Sequence, residues 1–215
     1  ATSDVTLGAS IAVDGTEDSD WTVSYDGIRK AVRKLVRNRA KKNTSIVTGS
    51  VKIDTKTINA ARLMYIGSEL KNTLRKMKDF FDEKAFVGVQ HYAAGTTPLR
   101  GEIGSIDEFR IIVVPEMMHW SAAGAAATAN DGIHITNGKA NVYPMLVVGS
   151  ESFTTIGFQS DAKSVKYKII HKKPSENAGL HNPYGKIGFM SIQWWYGFMV
   201  IRPERIALIK TAALV

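Results

Sequence analysis

The chain of 215 residues contains no cysteine. This absence excludes a disulfide framework, an iron–sulfur cluster, a thiol nucleophile and cysteine-rich zinc sites, and it fits a reducing compartment. Residues 1–20 contain no lysine or arginine, although the whole chain has a formal net charge of +8 at pH 7. We therefore expect residues 1–20 to be a flexible acidic lead-in and the basic residues to be concentrated later in the chain.

The usual sequence signatures of catalysis are also missing. No HExxH, GxSxG, GxxxxGK(S/T) or GxGxxG pattern occurs, and no two of the five histidines lie four residues apart. The sequence therefore predicts no enzyme activity, no metal site and no cofactor. One enzymatic alternative stays open, a hydrolase in the C-terminal half, which would need a pocket that joins His171 or His181 to a carboxylate and a hydroxyl.

A long apolar run occurs near the C-terminus, at residues 187–201. At 15 residues it is shorter than the ~20 needed for a membrane-spanning helix, so we expect no membrane contact. Its apolar side chains alternate with a period of two, which favours a strand with one face on a core. Large rings are the best anchors of such a core because each can bury roughly 150–250 Å². The predicted core anchors are Trp194, Trp195, Tyr196 and Phe198.

The basic residues are concentrated between positions 29 and 42. Ser24 is predicted to cap a helix over residues 25–39, and Ile28, Leu35 and Val36 keep the spacing of one apolar face. The opposite face and the following loop contain eight of the 28 Lys and Arg residues, which are Arg29, Lys30, Arg33, Lys34, Arg37, Arg39, Lys41 and Lys42. Such a face can neutralise phosphates without reading bases. It is predicted to face DNA or a neighbouring subunit, and a solvated face stays open as the alternative.

Other apolar patterns predict a second helix and several strands. Ser68 is expected to cap the helix, and the residues expected to share one face of it are Leu70, Leu74, Met77 and Phe81. Extended runs predict strands at residues 58–66, 86–92, 109–114, 142–148 and 163–169. In the last strand the residues expected to point inward are Val165, Tyr167 and Ile169.

Residues 121–141 change character, because they are rich in Ala, Gly and Thr. We expect them to form a surface insertion with one hairpin turn. The order of all predicted elements indicates an α+β fold with a mixed sheet flanked by helices, without a regular βαβ repeat.

A series of short segments along residues 24–211 indicates a protein family by the order in which the segments occur. The segments are Val36-Arg37-Asn38-Arg39-Ala40, Thr48-Gly49-Ser50-Val51-Lys52-Ile53-Asp54-Thr55, Tyr65-Ile66-Gly67-Ser68-Glu69-Leu70, Gly101-Glu102-Ile103-Gly104, Val142-Tyr143-Pro144-Met145-Leu146-Val147-Val148-Gly149, Asn182-Pro183-Tyr184-Gly185 and Trp194-Trp195-Tyr196. In this order they resemble the C-terminal portion of a tailed-phage major capsid protein with the Hong Kong 97-like fold, in the podovirus branch.

The resemblance implies a domain organisation. After the lead-in, residues 21–160 would form the axial domain, residues 161–194 a strand pair of the peripheral domain, and residues 195–215 a return to the axial domain. Proteins of this family begin with an N-terminal arm, an extended loop and a long spine helix, and nothing before Ser24 supplies them. The resemblance therefore implies a piece of a longer subunit, or a subunit whose N-terminal elements were removed or not built.

The resemblance also implies a function. It implies a non-catalytic virion protein, assembled in the host cytoplasm, whose copies form pentamers and hexamers of an icosahedral head around double-stranded DNA. DNA contact would be non-specific, and portal, scaffolding and decoration proteins would be further candidate partners. The residues themselves leave a second function open, a non-catalytic nucleic-acid-binding protein that uses the basic helix at residues 25–39.

Overall fold

The structure is a computed structural model, and it describes residues 9–12, 21–51, 54–93, 98–128, 131–156, 158–160, 163–165, 167–194 and 197–215. Within these ranges the α-helices are α1 (Tyr25–Arg37) and α2 (Leu70–Lys76). The strands are β1 (Ala9–Ala12), β2 (Arg62–Ile66), β3 (Val87–Gly88), β4 (Glu102–Ile106), β5 (Phe109–Val113), β6 (Ile135–Thr136), β7 (Lys139–Ala140), β8 (Tyr143–Val148), β9 (Phe153–Ile156), β10 (Phe158–Ser160), β11 (Lys163–Val165), β12 (Tyr167–Lys172), β13 (Phe189–Trp194), β14 (Gly197–Val200) and β15 (Ile206–Thr211).

By its internal contacts the chain divides into two units. The first comprises Ala1–Ser152 and Arg202–Val215, and the second comprises Phe153–Ile201. The assignment of residues to an axial and a peripheral domain stays a prediction.

A seven-stranded sheet organises the first unit, with the strand order β1-β15-β8-β2-β5-β4-β3. The pairs β1–β15 and β2–β5 are parallel, and the other neighbours are antiparallel. Across it Ile66 lies opposite Met145, which lies opposite Ile209, and all three side chains are fully buried. Burial alternates along β2, as expected when one face of a sheet is covered more completely than the other. The predicted mixed sheet with helices is confirmed at this level, since the described residues form a mixed sheet with few helices.

Helix α1 forms where the sequence predicts it. Ser24 is the N-cap, and its hydroxyl accepts a hydrogen bond from the Gly27 N–H at 3.2 Å, which satisfies a donor that a helix start leaves open. Ile28 and Leu35 are fully buried in one cluster with the sheet. Val36 is exposed, so the apolar face is narrower than predicted.

Helix α2 differs from its prediction at both ends. The N-cap is Glu69, which makes no side-chain cap bond, and the Ser68 hydroxyl donates instead to Glu69 Oε1 at 2.8 Å. The helix ends at Lys76, so Phe81 lies beyond it and is exposed. The predictions that Ser68 caps this helix and that Phe81 belongs to its apolar face are therefore wrong. Neither described helix is long and apolar enough to span a membrane.

The predicted strands are confirmed to different extents. The runs at 109–114 and 142–148 correspond closely to β5 and β8, whereas the run at 58–66 forms a strand only from Arg62. The run at 86–92 contains the short β3 and then a 3₁₀ turn at Val89–His91.

Residues 121–141 are partly buried instead of lying wholly on the surface. β6 and β7 form the predicted hairpin at Asn137 and Gly138, whose φ angles of 51° and 71° suit a type I′ turn. Ile133 and Ala140 are buried in a second cluster with Ala212, near the C-terminus. The insertion is therefore anchored by its own small core.

The second unit consists of paired strands. β12 and β13 form an antiparallel pair in which Tyr167 lies opposite Trp194 and Ile169 opposite Ile192. β9 pairs with β14, and β10 pairs with β11.

Two of the four predicted core anchors are exposed. Trp194 is 71% exposed and Phe198 is 54% exposed, so the prediction is wrong for these two residues. Trp195 and Tyr196 lie outside the described residues. Tyr167 and Ile169 were expected to point inward and are exposed as well. For Trp194, Tyr167 and Ile169, which share one face of the β12–β13 pair, the physical reason is that no described residues form a second layer over that face.

Candidate functional site

The eight basic residues predicted on and after α1 fall into two groups. Four of them make ion pairs: Arg29 with Asp107, Lys30 with Asp26 at 2.7 Å, Lys41 with Glu151 at 3.2 Å, and Lys42 with Glu108 at 3.2 Å. The hydrogen bond from Arg29 to Asp107, together with the charge of Asp107, raises the pKa of Arg29. Sequence spacing reveals only the partner of Lys30, because Asp26 precedes it by one helical turn. The other three acids are distant in sequence and were missed.

The second group has no ion pair with any described residue. Its members are Arg33, Lys34, Arg37 and Arg39. The first three, together with Lys30, line a surface pocket of about 310 Å³. This part of the helix therefore presents positive charge that can approach phosphates or carboxylates.

The end of α1 fixes the position of the last cation in this group. Arg39 has a φ of 54°, in the left-handed region that favours glycine. The Arg39 N–H donates to Val36 O, and the Ala40 N–H donates to Leu35 O, both at 3.0 Å, which is the Schellman arrangement. The buried Arg62 side chain donates from Nε and Nη2 to Ala40 O at 3.1 and 2.6 Å. The loop after α1 is thereby tied to the sheet.

The strand pair β12–β13 presents a second candidate surface. Side chains alternate across a strand, so the register of the pair places five apolar residues on one face. These residues, which we call the apolar hairpin face, are Tyr167, Ile169, Met190, Ile192 and Trp194, and all are exposed. Soluble monomers rarely expose contiguous apolar patches larger than a few hundred Å², and larger ones mark interaction sites.

The two histidines named for a hydrolase lie in the second unit. His171 lies in β12 opposite Met190, and His181 lies in the segment before β13. Within the described ranges, neither histidine has a hydrogen bond or ion pair with a carboxylate. The same ranges contain no group of three His, Asp or Glu side chains that could hold a metal ion.

Comparison with known proteins identifies a relative of this chain. No protein-family model matches it. The major capsid protein of Pseudomonas phage KPP21 is 52% identical over 202 residues, which are 93% of this chain and 51% of that protein. The chain thus spans about half the length of the curated relative that it matches.

Two solved structures have weaker similarity. A chain from Mycobacterium phage Patience has a TM-score of 0.43 and 10% identity, with 95% of this chain and 48% of that chain covered. A chain from the head structure of Helicobacter pylori bacteriophage KHP40 has a TM-score of 0.39 and 8% identity, with 96% of this chain and 60% of that chain covered. Neither similarity is close enough to support an argument. The resemblance to a phage major capsid protein that the sequence predicts is confirmed by the 52% identity over 202 residues.

Proposed function

We propose that this chain is part of a structural capsid subunit of a tailed phage, with the Hong Kong 97-like fold, and that it joins copies of itself into an icosahedral head. Its identity of 52% to about half of a phage major capsid protein supports this role. The observation that supports it most directly is the apolar hairpin face, where Trp194 is 71% exposed. A chain that acts alone gains no stability from such a face, whereas repeated docking of identical copies buries it many times.

The two candidate surfaces would have different partners. Apolar burial on β12–β13 would hold copies together in pentamers and hexamers, since many modest interfaces add up in a closed shell. The unpaired cations of α1 would lie near packaged double-stranded DNA or near acidic residues of a neighbouring subunit. Portal, scaffolding and decoration proteins are further candidate partners of the complete subunit in the virion.

Concentration-dependent association of the purified chain tests this function. We expect sedimentation velocity to show species larger than a monomer as the concentration rises, and electron microscopy to show rings or curved sheets. Apolar burial changes little with salt, so association should persist at 0.5 M NaCl. A chain that stays monomeric at every concentration would contradict self-association through this face.

A second function is non-catalytic nucleic-acid binding by α1. It is favoured by the four cations without described ion-pair partners. It predicts that duplex DNA binds the monomer with a steep salt dependence. Because each neutralised phosphate contributes about 0.9 to the slope of log K against log[salt], the double variant Arg33→Gln/Lys34→Gln would reduce that slope by about 2. Lys168→Gln/Lys172→Gln, which removes two exposed charges from β12, is the matched control. Tight DNA binding by a persistent monomer would favour this function over capsid assembly.

A further inference from the structure

A second basic pocket lies in the first unit and is lined by residues that do not belong to α1. Its volume is about 550 Å³, within the range of about 300–1,000 Å³ that is typical of ligand sites. Its cationic lining comes from Lys56 in the segment before β2, Arg75 in the last turn of α2 and Lys84 in the segment before β3. Because these residues are far apart in sequence, no motif could have revealed the pocket.

The three cations have no ion pair with any described residue. The dipole of α2 favours a positive charge at its C-terminal turn, which accounts for Arg75 but not for Lys56 or Lys84. Like charges around one cavity repel one another. A bound anion would remove that repulsion.

Among the lining residues that the structure describes, Glu102 is the only acid, and its carboxylate already accepts hydrogen bonds. Its side chain is fully buried and accepts hydrogen bonds from the Tyr92 hydroxyl at 2.7 Å and the Leu99 N–H at 2.8 Å. Arg110 Nε lies 3.7 Å from Glu102 Oε1. Burial, with the hydrogen bond to Glu102, raises the pKa of Tyr92, so the phenol remains the donor. The carboxylate is therefore not available to neutralise the three cations.

Close packing pre-forms the wall of the pocket. A Cβ at Gly104 would lie 2.4 Å from Val87 O and 2.5 Å from the Phe86 ring, so only glycine lets the segment before and within β3 approach β4 this closely. The Lys56 N–H donates to His91 O at 3.0 Å. This bond holds the segment that contains Lys56 against the 3₁₀ turn at the pocket's edge.

We propose that this pocket binds a phosphate group. An arginine fork can bind two phosphate oxygens at once, and two lysines supply point charges around it. Three cations exceed what a single carboxylate can neutralise and suit a group with two negative charges. The ligand is a phosphate-bearing small molecule or the backbone of DNA. The inference stands on the pocket alone and does not depend on a capsid role.

Titration of the chain with sodium pyrophosphate at low salt tests the proposal. We expect saturable binding by calorimetry and movement of the His91 side-chain resonances, because His91 lines the pocket. The variant Lys56→Gln/Lys84→Gln should bind at least tenfold more weakly, whereas Lys56→Arg/Lys84→Arg should retain binding. Lys168→Gln/Lys172→Gln loses the same net charge elsewhere and should change the affinity less than twofold.

A competition experiment then distinguishes the two sources of phosphate. If a 12-base-pair duplex displaces pyrophosphate, and the pocket variant weakens both ligands, the source is DNA. If the duplex does not displace it, the ligand is a small phosphate-bearing molecule. The proposal is overturned if the chain does not bind pyrophosphate, if the control variant loses as much affinity as the pocket variant, or if only an acidic peptide binds there.

Discussion

Replacing Trp194 by alanine separates the stability of the chain from its association. The ring is 71% exposed, so truncation should change the free energy of unfolding by no more than about 0.5 kcal/mol. A docked neighbour would remove on the order of 150 Å² of this side chain from water. At about 25 cal/mol per Å² this burial contributes up to about 4 kcal/mol. Since truncation of a central interface residue typically costs about 2 kcal/mol or more, Trp194→Ala should weaken self-association by about 30-fold or more.

Sedimentation velocity over a concentration series measures this loss, and thermal denaturation of the same samples measures stability. The matched control is Tyr184→Ala, because Tyr184 is an aromatic residue of the same unit that is 85% exposed and lies outside β12 and β13. It should leave association unchanged. The reasoning fails if Trp194→Ala associates like the unaltered chain, if Tyr184→Ala loses as much, or if Trp194→Ala lowers the melting temperature by more than a few degrees.

Three further predictions test the first unit by denaturation. Leu35→Ala should lower the free energy of unfolding by about 2–5 kcal/mol because it opens a cavity in the core. The control Val36→Ala changes an exposed residue and should lower the free energy of unfolding by only about 0.5 kcal/mol. Equal losses would contradict the burial of Leu35 and the exposure of Val36. Arg39→Gly should raise the free energy of unfolding by about 0.5–1 kcal/mol, since glycine relieves the positive φ, and a loss of stability would show that this strain is absent. The hydrogen bond from Arg205 lowers the pKa of Glu151 below its ordinary value of 4.5. This carboxylate therefore contributes fully to stability above about pH 4.5, and its contribution is lost as the pH falls through the lowered pKa. Glu151→Gln should therefore remove part of the acid-induced fall in melting temperature, and an unchanged pH profile would refute the pairing.

Helix α1 could be predicted because its causes are local. The capping hydroxyl of Ser24 and the spacing of Ile28 and Leu35 lie within one short segment, and the structure uses all three as expected. Except for the pair of Lys30 with Asp26, one helical turn away, the ion pairs of the cations on and after α1 could not be predicted in the same way. Asp107 and Glu151 reach the basic residues only after the sheet has brought distant segments together, and no periodic pattern encodes that approach.

The aromatic strand shows a different limit of sequence reasoning. Alternation in β13 identifies which side chains share a face, but it does not identify what covers that face. The centre of an interface between copies and the core of one chain are both rich in large apolar residues, so one sequence cannot distinguish them. In the structure, the buried cluster of the first unit includes Leu35 and Met145 and no residue of the apolar hairpin face. Since that cluster does not contain Trp194, burial of this ring does not stabilise the fold of the first unit and can instead stabilise association. Removing the ring should therefore weaken assembly and leave the free energy of unfolding almost unchanged.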